Sequence, residues 1–183
     1  MDSVRAAYPL FQTEGSGSNP TSTLQFYVCE IPMKRAQNLN ALWHSVLPIA
    51  SLGWLNRYVA YGAEFEGQWY AVAIWTDPIA ANRLADGPRL LELRRFAIAP
   101  DAPKNTASRM LGIMRRKLKI KFPDVIRLIS YQAVEHHSGT IYKASGWKAV
   151  ACSEYQEWHP GLSRAEPQTK SDKIRWELNL GEQ

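Results

Sequence analysis

The sequence predicts an α/β domain in which a sheet of mixed strand direction carries helices on both faces. Seven β-rich runs are separated by turn signals, and three segments have helical periodicity. Helices alternate with strands only in the middle of the chain, which favours mixed rather than all-parallel pairing. With 183 residues, 45% of them hydrophobic, the chain is long enough for a full core. We therefore expect one domain over residues 24–183.

Residues 1–23 are expected to form a flexible leader, because they lack an apolar core of signal-peptide length. No stretch approaches about 20 uninterrupted apolar residues, so we expect no membrane span and a cytoplasmic location. Cys29 and Cys152 are far apart and lack metal-ligand spacing, which predicts two buried thiols without zinc or a disulfide. His136 and His137 have no obvious third ligand, and His44 and His159 are isolated, so no metal site is predicted.

The first half of the chain alternates short strands with one helix. Pro32 ends the first strand, and Glu66-Gly67 between two β-rich runs indicates a hairpin. The predicted elements are a strand over 24–31, a helix over 33–46, strands over 57–65 and 68–75, a loop or short helix over 77–88, and a strand over 90–98.

The second half contains the long helix and the last three strands. Pro123 stops the helix over 106–122, and Gly146 is predicted to cap the short helix over 136–144 at its C-terminal end. The other predicted elements are a strand over 125–131, a strand over 147–158, a polar loop over 160–172 and a strand over 173–180.

The strand over 90–98 carries charged residues inside an apolar run. Strict alternation places Glu92, Arg94, Phe96 and Ile98 on one face, and Leu93, Arg95 and Ala97 on the other. A carboxylate here is costly to bury unless it is paired. Two interpretations stay open for Glu92, a salt bridge to a neighbouring arginine and a general base.

The segment 99–112, APDAPKNTASRMLG, follows this strand and opens the long helix. A strand, a short turn and a helix N-terminus form a common place to hold phosphates, although no glycine occurs before Gly112. Thr106 and Ser108 are expected to supply hydroxyl donors, Asn105 to cap the helix, and Lys104 and Arg109 to add positive charge.

The formal net charge is +5, and basic residues are concentrated between Lys104 and Arg127. That segment contains eight lysines and arginines against one acid, Asp124. Two interpretations stay open: a solvated helix face, or a positive surface facing a nucleotide cofactor or nucleic acid.

With Ser130-Tyr131 ending a strand and Tyr142 four residues before Gly146-Trp147, the chain resembles the GNAT superfamily of acyl-CoA-dependent N-acyltransferases. Ile98-Ala99-Pro100 matches the end of that superfamily's central strand. The resemblance covers roughly residues 55–158 and implies a mixed, mostly antiparallel central sheet.

The resemblance implies roles for individual residues. Glu92, six positions before Ile98, is the expected general base. Tyr142, or His137, is expected to assist the leaving thiolate, and Arg95, Ser130 and Tyr131 to contact the acceptor. Acetyl-CoA or another acyl-CoA is the expected donor, held by Phe96, Ala97, Ile98, Lys104, Asn105, Thr106, Ala107, Ser108 and Arg109.

Within that superfamily the chain is most similar to the phage Mom-like group, which modifies a base amine in phage DNA. Glu92-Leu93-x-Arg95, Pro103-Lys104-Asn105-Thr106-x-Ser108 and His137-x-Gly139-x-Ile141-Tyr142-x-Ala144 carry this likeness. The group tends to have an Asp where this chain has Ala133. We therefore expect acyl transfer to an amine, with a nucleobase in DNA as the first acceptor. The alternatives are a metabolite or protein amine, and a non-catalytic DNA-binding protein; the oligomeric state stays open.

Overall fold

The computed structural model describes residues 19–44, 57–78, 83, 89–155 and 171–181. Its helices and strands follow the predicted order. They are β1 (Tyr27–Glu30), α1 (Met33–Trp43), β2 (Tyr58–Phe65), β3 (Gln68–Thr76), β4 (Leu90–Ile98), α2 (Thr106–Lys121), β5 (Arg127–Ala133), α3 (Thr140–Ala144), β6 (Lys148–Ser153) and β7 (Lys173–Asn179).

The strands form one sheet in the order β1-β2-β3-β4-β5-β7-β6. Only β4 and β5 pair in parallel, and the other neighbours are antiparallel. Buried side chains of α2 and α3 belong to the larger core cluster, whereas those of α1 belong to a smaller one. The predicted mixed, mostly antiparallel sheet with helices on both faces is confirmed.

Two predicted boundaries are wrong for local reasons. Residues Thr23–Gln25 form a 3-10 turn instead of strand, because Ser22 and Gln25 bond reciprocally to each other's backbone. The helix predicted from His136 begins only at Thr140. The amides of His136 and His137 turn back to the carbonyl of Ala133, which closes a turn before the helix.

Several predictions fall partly outside the described residues. They are the leader over 1–18, residues 45–46 and 156–158, most of the segment 77–88 and the loop over 160–170. The helix predicted over 33–46 already ends at Trp43, where His44 turns to extended backbone, and the strand predicted over 147–158 ends at Ser153.

The predicted burial of both cysteines is wrong. Cys152 is exposed and Cys29 is only half-buried, and neither forms a disulfide. Cys152 lies on β6, an edge strand whose residues are all exposed, at the opposite end of the sheet from β1 and Cys29. Residues 148–153 therefore form a strand by pairing with β7, but their side chains are not buried.

Candidate active site

A β-bulge interrupts the central strand β4. Along its pairing with β3, Leu93 lies opposite Trp75 and Arg95 opposite Ile74, so Arg94 is an extra residue. This residue shifts the alternation by one. Leu93, Phe96 and Ile98 pack with the larger core cluster, beside α2 and α3, and Ala97 packs with the smaller one, beside α1. The predicted grouping of Glu92 with Phe96 and Ile98 on one face is therefore wrong.

Strands β4 and β5 separate just before this bulge. Their parallel pairing runs from Leu90 opposite Arg127 to Leu93 opposite Ser130 and then stops, although both strands continue. Beyond Leu93, β4 pairs only with β3. The edge of β4 that faces β5 therefore presents backbone groups from Arg95 to Ile98 to an opening between the two strands, while the Arg94 carbonyl accepts from Arg95 Nη1 at 2.8 Å.

A serine–tyrosine pair lies at the start of this opening. The hydroxyl oxygens of Ser130 and Tyr142 are 2.8 Å apart, and Ser130 Oγ also approaches the carbonyl oxygen of Leu93 at 3.4 Å. Tyr142 is 7% exposed, and burial raises the pKa of its phenol while the Ser130 hydrogen bond opposes that rise. The phenol therefore keeps its proton at neutral pH and has a hydroxyl partner that can follow proton movement.

The end of α3 explains the spacing between Tyr142 and Gly146-Trp147. Gly146 adopts a left-handed conformation, and its amide donates to the carbonyl of Lys143 while the Trp147 amide donates to that of Tyr142. This is a Schellman motif, in which the residue after the glycine packs back onto the last turn. The Trp147 ring accordingly contacts Tyr142 edge-on, with centroids 5.5 Å apart. The predicted glycine cap is confirmed.

Strand β7 supports Tyr142 from the other side. The Trp176 ring stacks on Tyr142 at 5.3 Å, and its indole nitrogen donates to Gln132 Oε1 at 2.7 Å. The Gln132 amide nitrogen donates to the carbonyl of His137. Gln132 and Trp176 are not among the predicted site residues, because nothing in the sequence tells which residues of β7 lie opposite β5.

The α1 face of the sheet carries a separate polar group around Glu92. Glu92 is 6% exposed and precedes Leu93, so it faces away from Tyr142. Tyr131 follows Ser130 and shares this face. Burial raises the pKa of Tyr131, Glu92 and Glu177 add to the rise, and the nearby Arg83 charge and its hydrogen bond oppose it.

His44 and Arg95 also lie on this face. Burial lowers the pKa of His44, and the charges of Arg95 and His137 lower it further. His137 is exposed overall, but partial desolvation of its ring lowers its pKa, and the charge of His136 lowers it further. The structure thus brings His137 toward His44 and Arg95, while Tyr142 bonds to Ser130. His44 follows the last residue of α1 without any sequence signal that would have marked it.

The turn before α2 is held by its own hydroxyl groups. Thr106 Oγ1 donates to the carbonyl of Pro103 at 2.7 Å, and Ser108 Oγ to that of Asn105 at 3.1 Å. The predicted role of these hydroxyls as free donors is therefore wrong. Asn105 makes no side-chain cap bond; its backbone is left-handed, with φ of 69°, a conformation that asparagine tolerates.

Backbone amides are left to face an anion at this helix start. The N–H groups of Ala107 and Ser108 are accepted by no backbone carbonyl of the described residues. Lys104 is exposed and Arg109 half-buried beside them. The turn therefore presents two backbone amides and two cations to an anion, although it has none of the glycines that would let a phosphate approach the backbone closely.

The described residues contain no group of three or more His, Cys, Asp or Glu side chains that could hold a metal ion. Among the described helices, none is both long and apolar enough to cross a membrane.

The sequence profile of the Mom protein family matches residues 25–175. The chain belongs to this family. No curated protein matches it at significant similarity.

Solved structures similar to this Mom-family chain share its fold at low identity. The ribosomal-protein-S18-alanine N-acetyltransferase from Escherichia coli is 15% identical with a TM-score of 0.60, over 86% of this chain and 96% of that one. A GNAT-family acetyltransferase from Streptococcus pneumoniae is 12% identical with a TM-score of 0.59, over 85% and 99%. Spermidine N-acetyltransferase from Vibrio cholerae, solved with CoA and spermine, is 12% identical with a TM-score of 0.60, over 86% and 96%. The chain therefore has the GNAT fold.

Proposed function

We propose that this Mom-family protein transfers an acetyl or related small acyl group from a CoA thioester to an amine on a nucleobase in DNA. Residues 24–183 form the catalytic domain in this proposal, and the activity belongs in the cytoplasm. One observation carries it: the opening between β4 and β5 has the Ser130–Tyr142 pair on one face and Glu92 on the other.

The residues around the opening fit an acyl-CoA. The β4 edge between Arg95 and Ile98, whose backbone does not pair with β5, supplies N–H and C=O groups for the pantetheine amides, as a neighbouring strand would. The amides of Ala107 and Ser108 and the charges of Lys104 and Arg109 face the pyrophosphate. When bound, the thioester supplies an acyl carbon activated toward nucleophiles.

Glu92 is the proposed proton acceptor. It lies on the α1 face, so an amine entering from that face meets it before the thioester. As the amine nitrogen forms its bond to the acyl carbon, Glu92 takes one proton from the nitrogen, directly or through a water molecule. Backbone N–H groups of this β4 edge polarise the carbonyl oxygen.

Tyr142 is the proposed proton donor to the sulfur. As the carbon–sulfur bond breaks, the Tyr142 hydroxyl gives its proton to the departing thiolate, and Ser130 Oγ turns from the Leu93 carbonyl to donate to the phenolate oxygen. The products are an amide and a free thiol. One proton has moved from the amine to Glu92 and one from Tyr142 to sulfur; exchange with solvent restores both residues. The bond to Ser130 favours Tyr142 over His137 for this role.

A nucleobase suits the α1 face for two reasons. Tyr131 is a half-buried aromatic ring on which a base can stack, and Arg95, which is 8% exposed, adds positive charge to the same face beside His44. Membership of the Mom family supports DNA as the acceptor. The alternative acceptors are a metabolite amine or a protein amine, which the GNAT fold equally accommodates.

The test combines binding and product detection. Acetyl-CoA should raise the melting temperature, and DNA incubated with protein and acetyl-CoA should yield, after digestion, a nucleoside heavier by one acyl group. The absence of both effects would overturn the proposal. A mass gain on polyamines or peptides with none on DNA would replace the acceptor and leave the acyl transfer standing.

A further inference from the structure

The outer face of α2 carries basic side chains without acidic partners. Within the described residues, no carboxylate pairs with Arg115, Arg116, Lys117 or Lys119. Neighbouring cations are paired: Lys121 bonds Glu30 at 2.9 Å. The lone acid after the helix, Asp124, is held by Arg57 at 3.0 Å. The positive charge of α2 is therefore not neutralised within the described part of the molecule.

Gly112 lies one turn before the first of these basic residues. It is in the interior of a helix, where glycine is less favourable than alanine, yet a Cβ there would meet nothing within 4 Å. Core packing therefore gives no reason for glycine. Gly112 is three residues before Arg115, four before Arg116 and seven before Lys119, so these side chains share one stripe with it.

We infer that this stripe, Gly112, Arg115, Arg116 and Lys119, is a docking surface for the phosphodiester backbone of DNA. It spans about 10 Å of helix, the axial length of about three phosphates on one strand. The missing side chain at Gly112 lets a phosphate approach the helix backbone at the N-terminal end of the stripe, beside Arg115 and Arg116. The choice of DNA as occupant rests on the proposed function.

An anionic membrane is a poorer fit to the same face. Ile120 is the only exposed large hydrophobic side chain of α2, and an interfacial helix needs an apolar stripe.

The docking surface is separate from the acceptor pocket. Buried residues of α2 pack on the face of the sheet that holds Tyr142, whereas Glu92 and Tyr131 lie on the other. The surface thus acts as a tether that keeps the protein on DNA without contacting the reacting base, and it raises the local concentration of target sites.

The first test removes two charges. Arg116→Gln with Lys119→Gln should weaken binding to duplex DNA and make the slope of log K against log [salt] shallower by about two. Acyl transfer to a free nucleoside or a short oligonucleotide should be unchanged. The matched control, Lys34→Gln with Lys148→Gln, removes the same charge from exposed positions on α1 and β6 and should leave the slope within one unit of wild type.

The second test keeps the charge. Gly112→Leu should lower DNA affinity several-fold without lowering the melting temperature, because its side chain enters open space. The docking surface would be overturned if the Arg116/Lys119 and Lys34/Lys148 double variants lost DNA affinity equally, or if Gly112→Leu kept full affinity. Either result would leave acyl transfer to DNA standing. Binding of wild type to vesicles containing phosphatidylserine in preference to DNA would also overturn it. A wild type that neither binds nor modifies DNA would overturn the nucleobase acceptor as well.

Discussion

At the scale of single residues, the two faces of the opening assign two different proton roles. Glu92 and Tyr142 lie on opposite sides of the sheet; burial and the Glu92 carboxylate raise the pKa of the neighbouring Tyr131, and the Ser130 hydroxyl hydrogen-bonds Tyr142. The spacing of the motif predicts Glu92 as the base, whereas the position of Tyr131 beside it on the α1 face depends on how β4 and β5 pair.

Replacing Glu92 by Gln should lower kcat by about 10²-fold or more, because the amide cannot accept the proton. The KM for acyl-CoA should change little, since the proposed donor site lies along the β4 edge between Arg95 and Ile98. Steady-state kinetics with the identified acceptor measure both. Glu177→Gln is the control: its carboxylate is on the same face but bonds Arg175 at 3.0 Å, so its kcat should stay within a few-fold. Equal losses in both variants would contradict proton acceptance by Glu92.

Ser130 and Tyr142 should behave as a unit. Tyr142→Phe should lower kcat by about 10²-fold. Ser130→Ala removes the hydrogen bond that opposes the burial effect, so the pKa of Tyr142 rises further and kcat should fall about 10-fold. The double variant should be no slower than Tyr142→Phe alone, because Ser130 acts through the phenol. Additive losses would mean that Ser130 contacts the substrate independently.

At the scale of elements, α3 is short but fixed at both ends by glycines with positive φ. The two positions differ in space. A Cβ on Gly139 would lie 2.5 Å from Gln132 Oε1 and 2.6 Å from the Trp176 ring, whereas one on Gly146 meets nothing within 4 Å.

Gly139→Ala should therefore cost about 3 kcal/mol or more of unfolding free energy, since strain and overlap add. Gly146→Ala should cost about 1 kcal/mol, from backbone strain alone. Urea denaturation compares the two directly. Similar losses of unfolding free energy in the two variants would indicate that Trp176 and Gln132 move aside to accommodate the added methyl group and do not hold Tyr142 in place.

Element order was predictable because each strand and helix has a local pattern and a breaker beside it, such as Pro32 or Pro123. Strand faces were less so. The alternation predicted for β4 is wrong beyond Arg94, because a bulge depends on the pairing with the neighbouring strand and cannot be recognised from the sequence of one strand alone. The hydroxyls of Thr106 and Ser108 failed similarly: the sequence shows their presence near an anion site, but not that local carbonyls already accept their protons.

At the scale of the whole molecule, several tyrosines resist ionisation. Burial and the nearby Glu30 raise the pKa of Tyr61 to about 12, and burial also raises the pKa of Tyr70, Tyr131 and Tyr142. In the unfolded chain these phenols ionise near pH 10. Between that pH and the folded pKa the unfolded state binds fewer protons, so stability is lost as pH rises.

The melting temperature should therefore fall steeply between about pH 10 and 12. The pKa of Tyr61 alone corresponds to a loss of about 2–3 kcal/mol across that window. In the Tyr61→Phe variant the melting temperature, followed by circular dichroism, should fall less between about pH 10 and 12 than in wild type. An identical pH dependence in the two proteins would show that Tyr61 ionises freely in the folded state.

Because Arg94 is an extra residue, the alternation of side chains between the two faces of β4 shifts by one at that position. Up to Leu93, odd-numbered side chains face α2; beyond Arg94, even-numbered ones do. Deleting Arg94 would restore one regular alternation in which Leu93, Phe96 and Ile98 still face α2 and Ala97 still faces α1, because Trp75 and Ile74 would then oppose consecutive residues. A related strand that lacks this one residue would therefore keep the same side chains on each face. Sequences aligned to this strand therefore need the gap placed at Arg94 before their side chains can be compared.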